Sequence, residues 1–130
     1  MNQYRKERVE IAKFVISKMW ECDEPEFTLM KKRNRNIVLA RRFFIYYLWK
    51  HCEVKHNRMK DYIHGMNHAT SIHHCRKLEQ EMEIYKDVLK SWITFLYYSD
   101  KREYDKLKID MKYPIETMND LDLNPKYIFN

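Results

Sequence analysis

A single glycine, Gly65, and three prolines serve the whole 130-residue chain. Tight hairpins need residues that reach positive φ without strain, and glycine is their usual supplier, so a sheet of successive hairpins would lack its turn residues. The expected fold class is all-α. Val9, Ala12, Ile16, Met19 and Trp20 recur at helical spacing and predict an amphipathic helix from about Gln3 to Trp20. Cys22-Asp23-Glu24-Pro25-Glu26 breaks it, because proline cannot donate a hydrogen bond inside a helix. A short helical turn through Phe27, Leu29 and Met30 follows. Residues 31–36 contain no apolar side chain and read as a solvated loop or a frayed helix start. A second helix is predicted from about Val38 to Cys52, with Arg41 and Arg42 near its start and Ile45, Leu48, Trp49 and Cys52 on one side.

A short helix from about His56 to Ile63, a turn at Gly65 and a long helical pattern opening at Asn67 or His68 complete the regular part of the chain. The stripe Leu78, Met82, Tyr85, Leu89, Trp92 and Leu96 alternates steps of four and three and has to be buried; a break near Glu81 to Glu83 can be accommodated but is not visible in the pattern. After Ser99 the pattern fades. Residues 99–130 read as a tail, weakly structured or docked as a strap through Tyr113, Ile115, Leu121, Tyr127 and Phe129. The expected organisation is one domain over residues 1–98, with its core in 30–92, followed by that tail. Hydrophobic residues at 45% and aromatics at 15% supply enough apolar surface for a globular core.

The net charge of +6 is distributed unevenly. Residues 31–60 hold ten Lys and Arg against Glu53 alone, +9, while the remaining residues carry fifteen bases and eighteen acids, −3. Such a patch calls for an anionic partner, nucleic acid or membrane surface. The longest apolar run, Phe43 to Trp49, is far short of the roughly 18 residues of a membrane span. The N-terminus turns charged at once, unlike a signal peptide, so a cytoplasmic protein with no membrane partner is expected. Cys22, Cys52 and Cys75 are odd in number and widely spaced, which fits reduced thiols better than a disulfide framework.

Two helices joined by a short turn containing glycine have the layout of a helix-turn-helix, although ordinary helical hairpins share that spacing. The segments RNRNIVLARRFFIYYL and GMNHATSIHHCRKLEQ, in this order and at this separation, resemble the C-terminal DNA-binding domain of the bacterial replication initiator DnaA. That family has a basic RRxR-type loop, a Pro-Arg-Gln helix start, and Gly-Arg-Asp-His-Thr-Thr leading into a helix that ends Cys-Arg-Lys-Ile-Glu. These features fall on Arg33 to Arg35, on Ala40-Arg41-Arg42, and on Gly65-Met66-Asn67-His68-Ala69-Thr70 leading to Cys75-Arg76-Lys77-Leu78-Glu79. The match covers Met30 to Trp92 and extends more loosely to the N-terminal helix. It implies a helical bundle with a Trp-repressor-like helix-turn-helix, double-stranded DNA as partner, no cofactor, and a role in replication initiation or transcription. The sequence has no phosphate-binding glycine loop, so a reader without the family's ATPase is expected, of the kind a phage or mobile element would encode.

The resemblance also assigns roles. His68 matches a residue that touches base edges, and Thr70 one that holds a phosphate. Ala69 stands where the family has a base-reading threonine and offers a methyl surface to thymine. Asn67 replaces an acidic residue; it can cap the helix or pair with adenine, and both remain open. Arg33 matches the arginine that enters the minor groove. Arg41 and Arg42 match phosphate contacts near a helix start, where backbone N–H groups would assist. Arg35, Lys50, Lys55 and Arg58 add supporting phosphate contacts. Met66 replaces an arginine of the family, so the family's target sequence does not transfer. No metal site is expected from His51, Cys52, His73, His74 and Cys75, whose spacings suit no shared ion. No catalytic triad can be assembled, so an enzyme is not expected. The rival reading is a helical protein-protein interaction module that keeps the fold without specific DNA readout, engaging its partner through the Tyr- and Met-rich surface or through the tail.

Overall fold

The computed structural model describes residues 3–29 and 33–110. The docking positions named in the tail, Tyr113 to Phe129, lie outside them. The described chain is all-α: α1 (Gln3–Met19), α2 (Glu24–Thr28), α3 (Arg35–His51), a 3₁₀ helix (His56–Asp61), α4 (His68–Ile84), α5 (Lys86–Ser99) and α6 (Lys101–Asp110). No strand occurs among the described residues.

The centre is α3. Phe43, Phe44, Ile45, Tyr46, Tyr47 and Leu48 are all buried, so this helix hides every direction of its circumference rather than one stripe. α1, α2, the 3₁₀ helix and α4 pack directly on it. α5 lies against α1 and α4 and sends Trp92 and Phe95 to α3. Edge-to-face ring contacts knit the layers, with Phe43 against Trp20 at 4.3 Å and Trp92 at 5.3 Å, and Tyr46 against Trp92 at 5.0 Å. Each such pair contributes about 0.5–1.5 kcal/mol beyond area burial.

Three sequence expectations need correction. α3 begins at Arg35, three residues before the expected start and within the segment read as a loop or frayed helix start, because Asn34 caps it by accepting a hydrogen bond from the Asn36 N–H at 2.9 Å. Arg41 and Arg42 therefore sit in its second turn, away from the free N–H groups of the helix start. The pattern from His68 to Ser99 is two helices. Tyr85 is extended (φ −111°, ψ 110°) between them, and its ring is half exposed rather than buried. An unbroken helix of that length would run about 48 Å, whereas α3 offers only about 25 Å to pack on, so burying both halves against it requires a bend. Finally, the chain after Ser99 forms α6, which packs on α5 and buries Tyr104.

Scarcity of glycine leaves its mark at helix ends. Gly65 turns with φ 75°, but Glu21 (φ 49°) and Glu53 (φ 58°) take the left-handed region with a full side chain. Cys22, Cys52 and Cys75 are all buried and unpaired as disulfides. Burial raises the first two thiols to about 11 and Cys75 to about 12.

Asp100 ties three elements together. Its Oδ2 accepts from Arg8 of α1 (Nη2 at 2.6 Å, Nε at 3.2 Å) and from the Tyr47 hydroxyl of α3 at 2.7 Å, while Oδ1 accepts from the Glu103 N–H of α6 at 3.3 Å. Burial would raise this carboxyl, but the hydrogen bonds from Tyr47 and Arg8 outweigh it and hold its pKa below the ordinary 3.8. Asp100→Ala strands Arg8 and Tyr47 and should destabilise the fold by about 3–5 kcal/mol in urea unfolding at pH 7. Because the folded pKa is depressed, the contribution is present above the ordinary carboxylate range and is lost as pH falls through the folded value. The stability gap between the wild type and Asp100→Asn should therefore narrow as pH drops below about 4. A gap that stays constant would mean the carboxylate charge is not what binds these elements.

Candidate nucleic-acid interface

Met59, Ile63 and Met66 anchor the 3₁₀ helix and the turn after it in the core. The expected short helix is thus one of 3₁₀ type, and the chain reaches α4 through Gly65. Two contacts pin this connection to α2. The His64 N–H donates to the Thr28 carbonyl at 2.8 Å. Arg41 donates to the Phe27 carbonyl (3.3 Å) and the Glu26 carbonyl (3.5 Å), occupying acceptors that the end of α2 leaves without helical partners.

Asn67 caps α4. Its Oδ1 accepts from the Thr70 N–H at 2.8 Å, leaving the side-chain NH2 to donate elsewhere. Ser71, Cys75, Leu78 and Met82 form the inner stripe of α4. The periodicity that sends them inward leaves Asn67, His68, Ala69, Thr70, His73, Arg76 and Lys77 exposed. No acid appears on α4 before Glu79. Four of the residues singled out from sequence are thereby brought together at one solvent-facing helix start.

His68 is supported from behind. Its ring meets the His56 ring edge-on at 5.8 Å, and His56 stacks on Trp49 at 5.2 Å and 21°. His56 Nδ1 lies 2.8 Å from the hydroxyl of buried Ser71. Burial first, then the charges of His68 and Arg76, lower the pKa of His56, so it is a neutral ring at pH 7.

The cations expected to meet DNA lie in separate settings. Arg33 and Arg35 are exposed and line a cleft of about 730 Å3 with Lys77, Arg42, Glu81 and Tyr85. Arg42 is turned inward, with Nη1 paired to Glu81 Oε1 and Nε donating to His74 Nδ1 at 3.2 Å. Like Arg41, it has its guanidinium engaged by protein acceptors. Lys55 and Arg58 lie apart, in a second cleft of about 660 Å3 with Arg5 and Asp61, and Arg58 pairs with Asp61 at 3.2 Å. Lys50 is exposed at the end of α3, over the Trp49 ring. Sequence reasoning missed Arg76 and Lys77 as surface charge because they fall outside the basic segment 31–60, whereas it left open which of His73 and His74 is exposed, and the structure exposes His73. Helical periodicity counted from Asn67 would have found both cations. Among the described residues no three His, Cys, Asp or Glu side chains converge to hold a metal ion, and no described helix is long and apolar enough to cross a membrane.

No family model matches the chain, and neither does any curated protein or solved structure.

Two stability measurements test this description. Asn67→Ala removes the cap and should cost about 1 kcal/mol, while His68→Ala should shift stability by less than about 0.5 kcal/mol. Equal losses would mean His68 is part of the packing. His74 is pushed down to about 4 by burial and by the charges of Arg42, His73 and Arg41. An unfolded chain protonates this histidine near 6.5, so its contribution is complete above that pH and declines as pH falls toward 4. His74→Gln should flatten the stability profile across that window.

Proposed function

We propose that this chain binds double-stranded DNA with sequence preference, the 3₁₀ helix and α4 acting as a helix-turn-helix that sets the start of α4 in the major groove. The observation that carries this reading is the exposed first half of α4, which holds no acid; Arg33 and Arg35 line a cleft with Lys77 and the turns of α4 that follow. The arrangement fits the resemblance to the C-terminal domain of DnaA, and the same work follows from it: a replication accessory or transcriptional regulator that reads DNA without an ATPase. His68 is the base reader, Ala69 the methyl contact and Thr70 a phosphate contact. Asn67 keeps its Oδ1 in the cap and reads bases, if at all, as a donor. Arg33 enters the minor groove, and Arg35, Arg76 and Lys77 meet phosphate. Arg41 and Arg42 act indirectly, by fixing α2 and α4. Lys50, Lys55 and Arg58 extend the positive field.

A second reading has its own observation. Tyr4, Ile11 and Phe14 expose about half of their surface in a row on α1, as a protein-docking helix would. Selection of duplexes from a random pool separates the two. DNA binding with sequence preference predicts an enriched motif and affinity that falls with salt, whereas a protein-docking module enriches no motif and retains no duplex at near-physiological salt.

Within the DNA reading, His68→Ala should reduce discrimination between the selected site and a scrambled one by about 1–3 kcal/mol. Lys77→Ala should weaken both duplexes alike and lower the salt slope by about 0.9. Arg41→Ala should lower the melting temperature and leave the salt slope intact. A reduced slope for Arg41→Ala would put that residue back on phosphate.

A further inference from the structure

The cleft between the start of α3, the second half of α4 and the Tyr85 bend shares Arg33, Arg35 and Lys77 with the DNA reading, so a ligand there would compete with duplex for them, but it carries one feature, Glu81, that DNA binding does not use. Glu81 lies at its base with a side chain only 8% exposed, and its Oε2 has no hydrogen-bond partner among the described residues. Arg35 Nη2 stands 3.9 Å from that oxygen, too far for a hydrogen bond and on a side chain that is 70% exposed. A buried carboxylate oxygen without a donor costs free energy of a size that a ligand N–H would recover. Around it the cleft offers an exposed aromatic ring at Tyr85, apolar wall at Val38 and Val88, and cations from Arg33, Arg35 and Lys77 that outnumber the acids. α5 also begins here with no side-chain cap.

We infer that this cleft is a binding site for a free guanine nucleotide, with Glu81 accepting from the base, Tyr85 stacking on it, and Arg33, Arg35 and Lys77 holding its phosphates. Charge and shape select the class. An inward-facing acceptor calls for a ligand with a donor edge, the surplus of cations calls for an anion, and the ring calls for a flat face; nucleotides have all three. Guanine is the base whose N1–H and exocyclic amine lie side by side, matching the two oxygens of a carboxylate. Oε1 retains lone-pair capacity for this while it accepts from Arg42. The volume of about 730 Å3 lies within the roughly 300–1,000 Å3 of small-ligand clefts.

The test is calorimetric titration of the full chain, without DNA, with GDP, IDP, ADP and inorganic phosphate. Leaving DNA out separates failure here from failure of the DNA reading. GDP should bind saturably, with IDP, which lacks the exocyclic amine, and ADP each weaker by about ten-fold or more, because a site built around a donor pair rejects analogues that lack it. Glu81→Gln should abolish the preference for GDP over IDP. Since that change also disturbs Arg42, Tyr85→Ala provides a surface variant that should fold normally and bind GDP about ten-fold more weakly, within the range of a lost aromatic-base stack. Equal affinity for GDP, IDP and ADP would overturn the proposal in favour of a plain anion site, as would the absence of saturable GDP binding at millimolar concentration, or full GDP affinity in Tyr85→Ala.

Discussion

Six consecutive buried positions, Phe43 to Leu48, leave one stretch of α3 with no side for water. Successive residues on a helix step round by about 100°, so such a run must be enclosed from all directions. Much of the remaining architecture is the means of enclosure. α1, α2, the 3₁₀ helix and α4 each cover part of the circumference, and the bend at Tyr85 folds α5 back so that Trp92 and Phe95 close another part. The two tyrosines in the run bring hydroxyls with them, and each fixes a polar partner: Glu79 for Tyr46, Asp100 for Tyr47. The second of these places the start of α6.

Charge is sorted by the same enclosure. Arg8, Arg41 and Arg42 project from helices whose surroundings are mostly closed, and each meets carbonyls or carboxylates inside the fold. Arg42 joins α3 to α4 through both Glu81 and His74, and so helps to fix how those helices lie together. Cations beyond the enclosed zone, Arg33, Arg35, Arg76 and Lys77, are exposed. A basic segment of the sequence is therefore not one surface: part of it is internal bracing, and part of the surface charge comes from elsewhere in the chain.

Legibility in the sequence followed how local each determinant is. The start of α4 could be read because Gly65, Asn67 and the stripe after them act over a few residues. The helical class followed from the missing turn residues. The start of α3 was misplaced because Arg35 and Asn36 contribute no apolar periodicity, although Asn34 was a readable cap. A break was allowed near Glu81 to Glu83, but nothing placed it at Tyr85, since the spacing of four and three continues through it and neither glycine nor proline marks it. Only the length of the partner helix demands it. α6 was hidden for a similar reason: it is polar, and depends on Tyr104 and on Asp100, whose role arises from residues 92 and 53 positions earlier. For the site, the exposed residues at the start of α4 could be placed from sequence, whereas the inward turn of Arg41 and Arg42 depends on acceptors from other helices.

The three buried thiols give this protein an internal clock. Cys22 follows α1, Cys52 ends α3 and Cys75 lies inside α4, so each belongs to a different part of the bundle. Burial raises the thiols to about 11 to 12, which predicts slow alkylation of the closed protein at neutral pH, so that labelling of each sulfur tracks how often its own surroundings open. Three labelling rates measured on one sample would show whether the bundle comes apart as a unit or loosens first around the face that α4 presents.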